Sequence, residues 1–223
     1  MTTNGKKIEN YFSKSIFSKS ITDTEFDDLI WKSIQPLYRR ALEKTSLDES
    51  DCIRESKLII GIKGAGKYED IEFNFKKGKD GFIRYIPKVI TIINFTQHEL
   101  VIYQCVFDPT TGQPLNESTK TYFYDDIVSI ETETKSKSKQ IFSPTEKVFK
   151  KIPIAKLFVE GEKKTYNVSE TFTLTTRGTS RVEVTLSDYK IVEQVGGEFN
   201  TTEAQNIIRS VDAMVKEKKR NKY

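Results

Sequence analysis

The chain has 223 residues and a net charge of +4, with 36% hydrophobic and 30% charged residues, so it is long enough for one large domain or a domain with an extension and can bury a sizeable core. No apolar run approaches the roughly 18 residues of a membrane span, and Lys6 and Lys7 are not followed by the apolar segment of a secretory signal; an intracellular, cytoplasmic protein is expected. Two cysteines, Cys52 and Cys105, are too few for a disulfide scaffold, and the single histidine, His98, rules out a multi-histidine metal site.

The charge is segregated. Residues 1–20, 135–156 and 216–222 carry +3, +6 and +4, which leaves −9 on the rest of the chain. Within residues 1–20, Ile8, Tyr11, Phe12, Ile16 and Phe17 recur at near-helical spacing. Such a basic amphipathic segment lies on an anionic membrane or, the reading favoured here, is a tail that is disordered or docks its aromatic side on its own domain.

Thr22 and Glu25 fit a capping box, and Phe26, Leu29, Ile30, Ile34, Leu37 and Ala41 form one apolar face, so a helix starts at Thr22. Pro36 should kink or split it. The segment Gly61-Ile-Lys-Gly-Ala-Gly66-Lys67 matches the spacing of a phosphate-binding loop, which requires a following Ser or Thr and a helix. Tyr68 follows instead, and Ile71, Phe73 and Phe75 alternate with polar residues as in a strand. The glycines are therefore read as a turn between strands, with Lys67 solvated.

Asp80-Gly81 signals a hairpin turn before a strand from Phe82 to Tyr85, and Pro87 marks an edge or break. The stretch from Val89 to Thr134 organises the chain. Val89–Phe95 and Leu100–Phe107 are apolar, β-branched runs separated by Thr96-Gln97-His98, and Asp108-Pro109-Thr110-Thr111-Gly112 closes the second. Lys120–Tyr124 forms a third run; from Ile127, the residues Val128, Ile130, Thr132 and Thr134 are assigned to one face and Ser129, Glu131 and Glu133 to the other. Cys105 falls in a strand, as a small buried hydrophobe, and His98 in a tight turn, as a surface residue.

The Lys-rich connection from Lys135 to Lys156 is expected to be a solvated loop. A strand at Leu157–Glu160, a turn at Gly161-Glu162 and a return strand at Thr165–Val168 follow. The clearest hairpin alternates Phe172, Leu174 and Thr176, turns at Arg177-Gly178-Thr179-Ser180, and alternates back through Val182, Val184 and Leu186. Asn200 is the expected N-cap of a last helix with Glu203 near its start, an apolar face of Ala204, Ile207, Ile208, Val211, Met214 and Val215, and a basic last turn.

These elements describe an α+β, mainly β fold: an antiparallel, partly open barrel capped by a C-terminal amphipathic helix, with a tail and helical extension over 1–55 and the barrel domain over 56–223. Phe95-Thr-Gln-His-Glu-Leu100-Val-Ile-Tyr103 and Tyr122-Phe-Tyr124-Asp-Asp126-Ile127-Val-Ser-Ile130-Glu131, with the hairpin from Phe172 to Leu186 and the closing helix, resemble bacterial pleckstrin-homology-like (PH-like) domains over residues 82–219. The resemblance implies a non-catalytic binding or scaffold module for a protein or peptide partner. It identifies no ligand, and no cofactor, metal or catalytic residue is expected. A peripheral protein binding anionic lipid through Lys135, Lys137, Lys139, Lys147, Lys150 and Lys151 is the alternative, at about 1 kcal/mol per lysine near such a surface. Nucleic acid is disfavoured because the basic segments lack interleaved arginines.

Overall fold

The computed structural model describes residues 3–13, 20–62, 72–141 and 162–221. Helices α1 (Thr3–Phe12), α2 (Asp23–Ile34) and α3 (Pro36–Thr45) lead into strands β1 (Lys57–Gly61), β2 (Asn74–Lys77), β3 (Ile83–Ile86), β4 (Lys88–Phe95), β5 (Glu99–Asp108), β6 (Gln113–Phe123), β7 (Ile127–Ile141), β8 (Glu162–Thr176) and β9 (Arg181–Asp188). A short helix α4 (Tyr189–Val195) and a long helix α5 (Thr202–Arg220) follow. Every strand pair is antiparallel; the sheets have the orders β1-β4-β5-β6, β2-β3 and β7-β8-β9.

Within the four-stranded sheet, β4 and β5 are buried on both faces, which explains why they are almost uniformly apolar, whereas the edge strand β6 is largely exposed. Side chains alternate between two cores. Ile93, Phe95, Leu100 and Ile102 join the core shared with Phe172, Leu174, Val182, Val184 and α5. Ile90, Ile92, Tyr103, Cys105 and Phe107 join the core beneath α1, α2 and α3. Among the described residues the strands close no barrel: the two larger sheets meet where the Ile62 N–H donates to the Thr185 carbonyl at 2.7 Å. A Cβ on Gly61 would lie 2.4 Å from Val184 Cγ1 and 2.8 Å from the Thr185 carbonyl oxygen. The first glycine of the phosphate-loop-like segment thus serves this close approach of β1 and β9; residues 63–71, including Lys67 and Ile71, lie outside the described residues.

Local signals set the helices. Thr22 Oγ1 accepts from the Glu25 N–H at 3.2 Å while Glu25 Oε2 accepts from the Thr22 N–H at 2.8 Å, completing the expected capping box. Pro36 splits the helical region into α2 and α3. The first helix docks on its own domain: Ile8 and Tyr11 are buried, and the Tyr11 ring stacks on Phe26 at 4.4 Å between centroids. Ile16 and Phe17 are outside the described residues. On α5, Ala204, Ile208, Val211, Met214 and Val215 are buried as expected.

Four expectations are corrected. Lys135–Ile141 belongs to β7 and not to a loop, and Thr165–Val168 lies in β8, where Thr165 registers with Ser138 and Asn167 with Ser136. Polar alternation concealed this arm because its ladder extends a core sheet and needs no apolar face of its own. Glu162 begins β8 and is not a turn residue; Leu157–Glu160 lies outside the described residues. Val128 is 55% exposed because it is the extra residue where the β7–β8 register shifts between Ile127 and Ser129, which turns Ile127 into the core instead. The N-cap of α5 is Thr201, one residue beyond Asn200, whose Oδ1 still accepts from the Thr202 N–H at 3.4 Å.

The helices are also fastened to the sheet by charge. Asn116, at φ 50°, sits where the β5–β6 register shifts, and the next residue, Glu117, faces α3. Its carboxylate accepts from Arg40 Nε and Nη2 at 2.6 and 2.7 Å and from the Tyr103 hydroxyl at 2.7 Å. Arg40, with Tyr103 and Lys44 beside it, holds the Glu117 carboxyl down to about 2 against the cost of its desolvation. Its side chain is only 18% exposed. A depressed carboxylate stabilises the fold above its unfolded pKa and loses that contribution as pH falls through the folded value. Glu117→Gln should therefore lower stability by roughly 2 kcal/mol at neutral pH, and denaturant titrations should show the gap closing as pH drops from about 4.5 toward 2.

Candidate functional site

A cleft of about 420 Å³ opens where α2, β1, the β2–β3 turn and the start of α5 converge. Each element contributes for a local reason. Ile30 faces the core from α2, and the next residue, Trp31, the only tryptophan of the chain, faces outward and stays 45% exposed. Leu58 and Ile60 project from β1 on the helix-covered side of the sheet. The β2–β3 turn closes through the Gly78 N–H to the Phe82 carbonyl at 2.8 Å, with Gly81 at φ 90°, and leaves Phe82 38% exposed at the rim. Phe199 and Asn200 arrive from the segment before α5.

Two basic residues of the strand region stand in this cleft, and their surroundings differ completely. Arg84 is 8% exposed. Its Nε and Nη2 donate to Asp27 Oδ1 and Oδ2 at 2.9 and 2.6 Å, and its Nη1 and Nη2 donate to Asp80 Oδ1 and Oδ2 at 2.9 and 2.8 Å. Arg84 in turn holds the Asp80 carboxyl down to about 2. Asp23 adds a third carboxylate, 3.9 Å from Arg84, which also accepts from the Tyr11 hydroxyl at 2.6 Å and the Lys79 N–H at 2.7 Å. The Tyr11 hydrogen bond keeps Asp23 below the usual carboxylate range, whereas burial and that same carboxylate push the Tyr11 hydroxyl far up.

Lys88 is also 8% exposed, yet among the described residues its ammonium has neither a hydrogen-bond acceptor nor a salt-bridge partner. It rests over the Tyr85 ring, 4.0 Å from the centroid, a cation–π contact that replaces only part of the lost hydration. The Tyr85 hydroxyl donates to the Gly61 carbonyl at 3.2 Å, and its ring meets Phe199 edge-on at 5.6 Å, so the platform beneath the ammonium is itself held in place. Burial pulls Lys88 down to about 8, with Asp27 acting in the opposite sense and Arg84 in the same one.

Of the lysines expected to meet an anionic partner, Lys135 is exposed and lies 3.4 Å from Glu133. The backbones of Lys137 and Lys139 register with Tyr166 and Lys164 in the β7–β8 ladder. Lys147, Lys150 and Lys151 lie outside the described residues. Lys135 does not line the cleft. His98 is exposed in the β4–β5 turn, where Thr96 Oγ1 accepts from the Glu99 N–H at 3.0 Å, beside a second hollow bounded by Tyr124, Asp126 and Glu217. Cys105 is 1% exposed, with its thiol pushed up to about 11 by burial. Among the described residues, no group of three or more His, Cys, Asp or Glu side chains is arranged to hold a metal, and no helix is long and apolar enough to cross a membrane.

Sequence reasoning passed over Arg84 and Lys88, although both interrupt the apolar, β-branched run from Phe82 to Phe95. A cation at such a position is a signal in itself, because burial requires a partner or a functional reason. Compared with known proteins, the chain matches no family model, no curated sequence and no solved structure.

The Lys88 environment sets a testable pH dependence. Between about pH 8 and 10.5 the unfolded lysine binds a proton that the folded one has released, so stability rises with pH across that window. Below it the folded state carries the full penalty, about 3 kcal/mol from a shift of that size. Lys88→Met should therefore unfold at higher denaturant concentration than the natural protein at neutral pH, and the advantage should shrink steadily from about pH 8 to 10.5.

Proposed function

We propose that the protein is a non-catalytic, intracellular binding or scaffold module of the PH-like type, and that it receives its ligand in the cleft between α2, the β2–β3 turn and the start of α5. The observation that carries this reading is Lys88, a side chain 8% exposed whose ammonium has no protein acceptor among the described residues and lines a solvent-open hollow rimmed by Trp31 and Phe82. Fold economy would replace such a lysine by an apolar residue; a binding site gives it a purpose. The chain order supports the PH-like assignment: a four-stranded antiparallel sheet, a three-stranded one and a closing helix follow one another, with the β2–β3 hairpin inserted after the first strand. A non-catalytic role is supported by the state of the neighbouring carboxylates. Asp27 and Asp80 are bound by Arg84 on both oxygens, so neither serves as a free acid or base beside Lys88.

Amide chemical shifts recorded with a mixture of small aromatic and aliphatic fragments test this. The expected perturbations cluster on Trp31, Phe82, Tyr85 and Phe199 and disappear in the Trp31→Ala, Phe82→Ala double variant, whose exposed positions leave the cores intact. Perturbations confined to other surfaces would overturn the reading.

One observation favours the lipid alternative for a separate part of the chain. Lys135, Lys137 and Lys139 fall at alternate positions of strand β7 and not in a loop. Replacing these three and Lys147, Lys150 and Lys151 by Gln should weaken co-sedimentation with anionic liposomes several-fold at low salt, with little difference at high salt, where attraction is screened within a few ångströms. Binding that is indifferent to salt or to the six substitutions would remove this alternative.

A further inference from the structure

We infer that the cleft binds a small apolar monocarboxylate, with the carboxylate on the Lys88 ammonium and the apolar body between Trp31, Phe82 and Phe199; the inference rests on the cleft being the protein's binding site. The charge follows from the unsatisfied group. Lys88 offers three N–H donors, and among the described residues no oxygen accepts from them; Asp27, which lines the same cleft, accepts from Arg84 on both oxygens at 2.9 and 2.6 Å. An acceptor carrying negative charge is what such a buried ammonium lacks.

The single charge follows from the rest of the wall. Asp27, Asp80 and Glu203 line the same cleft. Arg84 offsets only one of the first two, so the three carboxylates outnumber Arg84 and Lys88 by one charge, and a dianion such as a phosphate monoester would meet more repulsion than one ammonium offsets. The apolar body follows from the walls and the size. Trp31 and Phe82 are 45% and 38% exposed, although large aromatic side chains ordinarily seek burial. A volume of about 420 Å³ sits toward the lower part of the range of about 300–1,000 Å³ typical of small-molecule sites. A ring or a branched alkyl chain ending in a carboxylate satisfies all three conditions.

Trp31 is the only tryptophan and lines this cleft, so its fluorescence reports occupancy there. The full chain at neutral pH is titrated with phenylacetate, with the isosteric neutral phenylacetamide, and with phenyl phosphate. Phenylacetate should give a saturable change, phenylacetamide and phenyl phosphate should bind at least roughly tenfold more weakly, and Lys88→Met should lose that preference. Because Lys88→Met removes a buried charge at nearly constant volume, it should fold, and Lys88→Gln supplies a second neutral variant. Equal binding of the amide, tighter binding of phenyl phosphate, or an unchanged preference in both variants would overturn the carboxylate assignment while leaving the cleft as a binding site. A Trp31 signal that responds to none of the three probes would overturn both.

Discussion

The Arg84 guanidinium is the interaction on which the arrangement of this protein depends. Buried and fully engaged by Asp27 and Asp80, with Asp23 close behind, it joins helix α2 to the β2–β3 turn over sequence separations that no local propensity bridges. A planar fork with fixed donors suits two carboxylates at once, as an ammonium does not. The Tyr11 hydroxyl on Asp23 brings α1 into the same network, so three segments that share little backbone hydrogen bonding are located by one cation. The network also defines the electrostatics next door. By taking up the nearby acids, Arg84 leaves Lys88 as the cation with donors to spare.

The sheet beneath makes this possible. Because β4 and β5 feed alternate side chains into two cores, the four-stranded sheet acts as a partition, with the helices on one side and the β7-β8-β9 sheet with α5 on the other. Each side has its own polar fastening: Glu117 with Arg40 and Tyr103 toward α3, and Tyr122 with Ser180 at 2.9 Å toward the second sheet. The cleft forms at the end of this partition, where the apolar layers run out and the third, smaller core of Ile62, Ile83, Tyr85, Ile191 and Val192 begins.

Much of the fold was legible in the sequence where a signal is local. The Thr22 capping box, the break at Pro36, the Phe172–Leu186 hairpin and the apolar face of α5 all appear where residue spacing places them. What escaped is non-local or out of phase. The extra residue Val128 shifts the alternation of β7 by one, and a polar strand such as Lys135–Ile141 differs from a loop only through the partner it pairs with. Helix α4 is seven residues long, too short for a periodicity to register. The candidate site was hidden for a similar reason: Arg84 and Lys88 acquire their meaning from Asp27, about sixty positions earlier in the chain.

The length of β7 carries one more consequence. Among the described residues it is an outer strand of its sheet and runs for 15 residues, the kind of edge to which a second polypeptide adds a strand. Glu131, Glu133, Lys135, Lys137 and Lys139 occupy every second position along it. A parallel copy in register would set lysine against lysine and glutamate against glutamate, which is destabilising, whereas an antiparallel copy centred on Lys135 would set Glu133 against Lys137 and Glu131 against Lys139, opposite charges that favour pairing. Charge along this arm therefore selects the direction and register in which a second strand could add to it.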